Sequence, residues 1–205
     1  TALCNLVKEE ECDRIYGILC DLVAEPTELV DNCRLQISSF SNRGRYEDAF
    51  EIGRTLLEQL GVTFPCENIK LTLERDITCF YQEREALGAE DILSLKEAED
   101  PVEAGISKLL CRLCGPTFFF RPDYSYWTVF TAVRRMFRYG YTPHALQMYS
   151  NLMMPLGELR GDYQTAYAAG RSAMRLAEKH QYREVIHSIY CMFALHTGHW
   201  FEDVV

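Results

Sequence analysis

Arg43-Gly44-Arg45-Tyr46-Glu47-Asp48-Ala49-Phe50-Glu51-Ile52-Gly53-Arg54 recurs as Arg160-Gly161-Asp162-Tyr163-Gln164-Thr165-Ala166-Tyr167-Ala168-Ala169-Gly170-Arg171. Arg, Gly, Tyr, Ala, Gly and Arg are identical at equivalent places, and Phe50 against Tyr167 and Thr55 against Ser172 are conservative. Tyr46, Ala49, Phe50, Gly53, Leu56, Leu57 and Leu60 have the spacing of one helix face. Tyr163, Ala166, Tyr167, Gly170, Ala173, Met174 and Ala177 repeat that face. Gly44 and Gly161 permit the left-handed backbone of a tight turn between paired helices, and the tyrosine after each opens the second helix and covers the turn. A glycine inside a helix costs about 1 kcal/mol against alanine. Gly53 and Gly170, with Ala49 and Ala166, therefore point to helices that must approach closely. Gly44 and Gly161 are 117 positions apart, three times 39, which suits two further helix pairs between them.

Outward from these two copies, helical periodicity dominates and no sustained strand alternation is found. Stop and start signals predict helices over 3–23, 28–42, 46–61, 66–87, 90–97, 101–114, 123–139, 143–159, 162–179 and 182–196. Asp100-Pro101 and Thr142-Pro143 each place a capping side chain before a proline at the first helical position. The strand-like fragment Thr117-Phe118-Phe119-Phe120 lies between Pro116 and Pro122 and reads as a connection whose aromatics plug the core. The fold expected is all-α: one helical-repeat domain over 1–205, with a linking helix over 1–25 and stacked helix pairs over 26–205. Both ends read as cut from a longer protein.

The pattern Gly-x-Tyr-x-x-Ala-(Phe/Tyr)-x-x-Gly/Ala resembles the second half of a tetratricopeptide repeat. Other local features widen the likeness: Leu60-Gly61-Val62, Leu109-Leu110 leading to Phe118–Pro122, and Tyr139-Gly140-Tyr141-Thr142-Pro143. Together they resemble the helical region of large signalling proteins in which an AAA/STAND ATPase is followed by tetratricopeptide-like helices, often with kinase and sensor domains. The likeness covers most of 30–200, and middle units such as Pro101-Val102-Glu103-Ala104-Gly105 fit it poorly. It implies an α-α superhelix, a right-handed solenoid with irregular middle repeats. It also implies that the first helix of each pair lines a concave face that holds a protein or peptide, or a neighbouring domain of the same parent. Carried over residue by residue, the concave candidates are Asp31, Arg34, Ser38 and Ser41 before Gly44, and Met148, Asn151, Pro155 and Glu158 before Gly161. A small molecule held in the groove or beneath the aromatic segment 118–127 is the alternative.

Composition narrows the function further. The net charge of −9, from 21 Lys+Arg against 30 Asp+Glu, argues against nucleic acid and anionic membrane surfaces, because both need a cationic footprint. Arg134, Arg135 and Arg138 read as a solvated face. So do the acids Glu83, Glu85, Glu90, Asp91, Glu97, Glu99 and Asp100. Nine cysteines scattered through helices fit a reduced, cytoplasmic protein rather than a disulfide framework. Cys111-x-x-Cys114 lacks the second pair of a zinc site and reads as core packing. His196-Thr197-Gly198-His199 lacks a carboxylate partner pattern. P-loop, kinase and nucleophile-elbow signatures are missing. No catalytic residue, cofactor or metal is expected, and the chain reads as a non-catalytic interaction scaffold.

Overall fold

A computed structural model describes residues 8–65 and 68–202, the side chains of 89 and 90 excepted. The expected helix starts near Leu3 and at Cys66 lie outside the described residues. The architecture is all-helical. The helices are α1 (Glu9–Leu22), α2 (Val30–Asn42), α3 (Tyr46–Gln59), α4 (Ile69–Leu87), α5 (Pro101–Phe120), α6 (Pro122–Tyr139), α7 (Pro143–Ser150), α8 (Met153–Arg160), α9 (Tyr163–Lys179), α10 (Ile186–Phe193) and α11 (His199–Phe201). A 3-10 helix, Pro26–Leu29, leads into α2, another, Gly88–Ser94, follows α4, and a π segment, Ala194–Gly198, follows α10. Among the described residues, no helix is long and apolar enough to cross a membrane.

The packing falls into two rows. In the first, α2 packs on α5, α5 on α7, and α7 on α10. In the second, α3 packs on α2 and α5, α6 on α5 and α7, and α9 on α7 and α10. Helix α4 backs α6, and the 3-10 helix Gly88–Ser94 touches α4 and α9. One continuous core runs through both rows, with Ile37, Leu57, Leu109, Leu113, Phe130 and Leu146 fully buried.

The repeated stretch forms the hairpin turns expected of it. Gly44 has φ +71° and Gly161 φ +64°. After α2, the Arg45 N–H reaches the Phe40 carbonyl (2.9 Å) and the Gly44 N–H the Ser41 carbonyl (3.0 Å), the paired bonds of a Schellman cap. After α8 the wrap is wider: Gly161 N–H bonds Gly157 O (3.0 Å) and Asp162 N–H bonds Leu156 O (3.2 Å). The small residues also do what their register predicts. A Cβ at Gly53 would lie 2.7 Å from Leu113 Cδ2 of α5, and one at Gly170 would lie 2.6 Å from Phe193 Cδ2 of α10.

Three local expectations are corrected. The segment 117–120 is no connection: α5 continues through Pro116 to Phe120. Beyond the proline the helical bonding is kept: the Thr117 hydroxyl bonds the Leu113 carbonyl (2.6 Å) and the Thr117 carbonyl receives Arg121 N–H (2.7 Å). Phe118, Phe119 and Phe120 are exposed rather than plugged into the core. The helix expected over 143–159 is two helices, because Pro155 has no N–H to give the Asn151 carbonyl four residues earlier. That carbonyl takes Met154 N–H instead (3.2 Å), and the chain bends at Asn151–Leu152.

The charged stretches are only partly solvated faces: Glu85, Glu97, Glu99, Asp100 and Arg138 are exposed, while others are drawn into pairs between helices. Arg134 pairs with Asp76 (2.8 Å) and Glu83 (3.3 Å) of α4, Arg138 with Glu83 (3.4 Å), and Arg135 with the buried Glu103 of α5. Asp91 is buried and accepts from Tyr149 OH (2.6 Å). Asp100 caps α5 through Val102 N–H (2.8 Å).

Helix α1 packs Tyr16 and Leu19 against the core, and its Asp13 carboxylate takes a forked bond from Arg43 (2.7 and 3.0 Å), a bond from Gln36 and a contact from Arg45 (3.2 Å). The Arg43 hydrogen bond holds the Asp13 carboxyl below its ordinary 3.8. A depressed carboxylate stabilises the fold above its unfolded value and loses that contribution as pH falls through its folded value. Acidification below about pH 4 is therefore expected to loosen α1 first. Hydrogen exchange at amides 12–22 should accelerate there before those of α5. Asp13→Asn should bring the same loosening at neutral pH, and unchanged protection in that variant would remove Asp13 from this role.

Candidate groove

The first row of helices borders an open groove of about 750 Å³. Helix α2 contributes Ser41 and Asn42, α5 contributes Cys111, Arg112 and Gly115, α7 contributes Gln147, and α10 contributes His187, Ser188 and Cys191. Asn151, at the bend after α7, forms part of the wall. Tyr46, Phe118, Phe119, Met154 and Met192 add apolar surface to its lining. Phe119 is 70% exposed and stacks on Tyr46 with ring centroids 5.3 Å apart. The proline inside α5 faces the same groove and has no N–H to offer the Arg112 carbonyl one turn earlier.

The concave candidates separate cleanly. Ser41 and Asn151 line the groove. Arg34 lies near enough to Arg112 for their like charges to interact. Asp31 is exposed at the start of α2, paired with Lys108 (3.0 Å) and Arg34 (3.7 Å), and Ser38 spends its hydroxyl on the Arg34 carbonyl (2.8 Å). Met148 and Pro155 are buried and present no surface. Glu158 faces elsewhere, accepting a hydrogen bond from Tyr126 OH. The bend before Pro155 is the cause: a straight helix would have carried 148, 151, 155 and 158 along one face, and the break turns the later positions away.

Sequence reasoning missed Arg112, Gln147, His187 and the exposed rings of Phe118 and Phe119. Cys111, Gly115 and Phe118 are spaced four and three apart, as are helix-face neighbours, so a face was legible. Nothing in the sequence said which face was covered. The segment 118–127 encloses no ligand space at its later end: Phe50 packs against Tyr124 (5.3 Å) and Phe64 against Trp127 (4.5 Å).

Among the described residues, one guanidinium, that of Arg112, and no carboxylate line the groove, on a chain of net charge −9. Desolvation by the groove walls, and then the like charge of Arg34, push the Arg112 pKa down from its ordinary value. Arg112 makes no ion pair or side-chain hydrogen bond among the described residues. Burial pushes the thiols of Cys111 and Cys114 upward, so both stay protonated at neutral pH and are weak nucleophiles. Asn151 is 6% exposed, and its Oδ1 has no hydrogen-bond partner. Its Nδ2 meets only the soft acceptors Cys114 Sγ (3.9 Å) and Met148 Sδ (3.8 Å). Among the described residues, no cluster of three or more His, Cys, Asp or Glu is arranged to hold a metal ion. Comparison with protein-family models, with curated proteins and with solved structures finds no match.

Proposed function

We propose that this chain is a non-catalytic interaction scaffold, a tetratricopeptide-like α-α superhelix that holds a peptide or a neighbouring protein domain in its groove. One observation carries the reading: one helix of each successive hairpin, α2, α5 and α7, and then α10, lies side by side along the same open groove. Close helix approach at Gly53 and Gly170, two of the positions the repeat shares, fits stacked helix pairs. The protonated thiols in the wall suit recognition rather than covalent chemistry. A role as the regulatory helical region of a larger cytoplasmic signalling ATPase or kinase is consistent with the repeat pattern and belongs to the same proposal.

The test is selection of random dodecapeptides on the immobilised chain, with Ser188→Trp as counter-target. Ser188 lines the groove, and its side chain makes no hydrogen bond among the described residues. The tryptophan is expected to fill the groove while leaving the melting temperature within a few degrees of the parent. Peptides that bind the parent and lose at least tenfold affinity for Ser188→Trp support the reading. Binding indifferent to the tryptophan, or no enrichment at all, overturns it.

A further inference from the structure

We infer that Cys20 of α1 and Cys33 of α2 form a redox-sensitive pair, which a peroxide closes into a disulfide that clasps α1 to the body of the fold. The inference is independent of the scaffold reading. It concerns a smaller cleft that shares no lining residue with the groove.

The register between the two helices brings these residues together. Asp13 takes hydrogen bonds from Gln36 and Arg43, in the second half of α2 and at its end. Tyr16, about one turn further along α1, reaches Cys33, about one turn back from Gln36 along α2. The helices therefore run antiparallel, and an advance along one is a retreat along the other. Cys20 lies two turns on from Asp13, and Cys33 lies about two turns back from the midpoint of Gln36 and Arg43. The Tyr16 hydroxyl confirms the alignment, because it contacts the thiols of both Cys20 and Cys33. Two sulfurs that share one phenol are neighbours across the α1–α2 seam. Both are free thiols.

Their access to solvent differs, as a sensor and its resolving partner require. Cys20 is exposed and lines a cleft of about 330 Å³ together with Tyr16, Val23, Leu29 and Ile52. Cys33 lies beneath that lining, fully buried, with its thiol donating to the Ile52 carbonyl (3.7 Å). Burial pushes the Cys33 thiol up to about 11, and the Tyr16 hydrogen bond pulls it back. Oxidant from solvent therefore meets Cys20 first.

The chemistry balances with one peroxide. The Cys20 sulfur attacks a peroxide oxygen and the O–O bond breaks. Cys20 becomes a sulfenic acid, and the rest of the peroxide leaves as water or an alcohol. The Cys33 sulfur then attacks the Cys20 sulfur. The S–S bond forms, the S–OH bond breaks, and the hydroxide leaves with the Cys33 proton as water. Two thiols lose two electrons in total and the peroxide gains them. A thiol reductant reverses the linkage by exchange, as suits a reducing compartment where disulfides are transient. The consequence is mechanical. A bond between 20 and 33 holds α1 in place even where acid weakens the Asp13 pairing.

The test treats the folded chain with hydrogen peroxide, caps the remaining thiols with N-ethylmaleimide in denaturant, and digests with trypsin. No Lys or Arg lies between Arg14 and Arg34, so one peptide, Ile15–Arg34, carries both cysteines. It should emerge uncapped and two hydrogens lighter, and dithiothreitol should restore both thiols. Cys20→Ser, an exposed change expected to keep the fold, should abolish the linkage. Cys12→Ser should retain it, because Cys12 is buried two turns earlier on α1, toward Arg43. At about pH 4, α1 amides of the oxidised chain should exchange at least tenfold more slowly than those of the reduced chain. Cys20 advancing to a sulfinic acid while Cys33 stays capped overturns the inference. So does a linkage that forms as fast in urea, which would reflect nearness in sequence rather than the fold. A linkage that leaves α1 exchange unchanged overturns the clasp.

Discussion

Arg134→Met is expected to cost about 3–5 kcal/mol of stability, the range for a buried charge stripped of its partner. Arg134 reaches from α6 to Asp76 (2.8 Å) and Glu83 (3.3 Å) on α4. Asp76 is buried, and its other neighbouring cation, Arg75, is largely exposed and 3.8 Å away. Burial is the dominant influence on Asp76 and pushes its pKa above 3.8, with Arg134 pulling it back. A carboxylate whose folded value is raised favours folding only while protonated. Its contribution is complete below the unfolded value and is lost as pH rises through the folded one. Ionised Asp76 therefore opposes folding at neutral pH, and Arg134 limits that opposition. Thermal melting is the measurement: about 2–4 °C is lost per kcal/mol in a chain of this size, so a fall of about 10 °C is expected. Adding Asp76→Leu to Arg134→Met should recover most of it, because an apolar pair replaces an ion pair at little cost. A single variant that melts with the parent would show that the α4–α6 contact does not depend on this charge.

Gly170→Val is expected to cost about 3 kcal/mol, at the upper end for overpacking. Its Cβ would meet Phe193 Cδ2 at 2.6 Å, and the Phe193 ring is itself buried. Alanine at the same place gains about 1 kcal/mol of helix propensity but keeps the Cβ clash, so it should lose a smaller amount. Gly17 is the internal control. It sits in α1 with nothing within 4 Å of its added Cβ, and Gly17→Ala should stabilise by about 0.5–1 kcal/mol. Denaturant titration of the three variants gives the comparison. If Gly170→Val were as stable as the parent, the register shared with Gly53 would have no packing meaning.

The same contrast explains what was readable beforehand. The turns at Gly44 and Gly161, the faces around Ala49 and Ala166, and the caps at Asp100 and Thr142 are local properties. Neighbouring residues create them, so spacing exposes them. The groove is a different kind of object. Ser41 and Asn151 were anticipated, but Arg112 and His187 reach it from helices that the repeat pattern describes poorly. Arg134 is a clear case. Three arginines within five residues look like a solvated face until α4 brings Asp76 and Glu83 against them.

The sequence by itself determined that this chain is helical, where its glycine turns fall, and which small residues must sit against a neighbouring helix. Those features depend on backbone sterics and on the 3.6-residue period, which act within a few positions. Only the tertiary structure decided which helices neighbour one another, that Pro116 bends no connection while Pro155 divides a helix, and that Asn151 and Arg112 share one wall with their polar groups unspent. Burial and charge pairing depend on residues distant in the chain, and their partners exist only once the helices have packed.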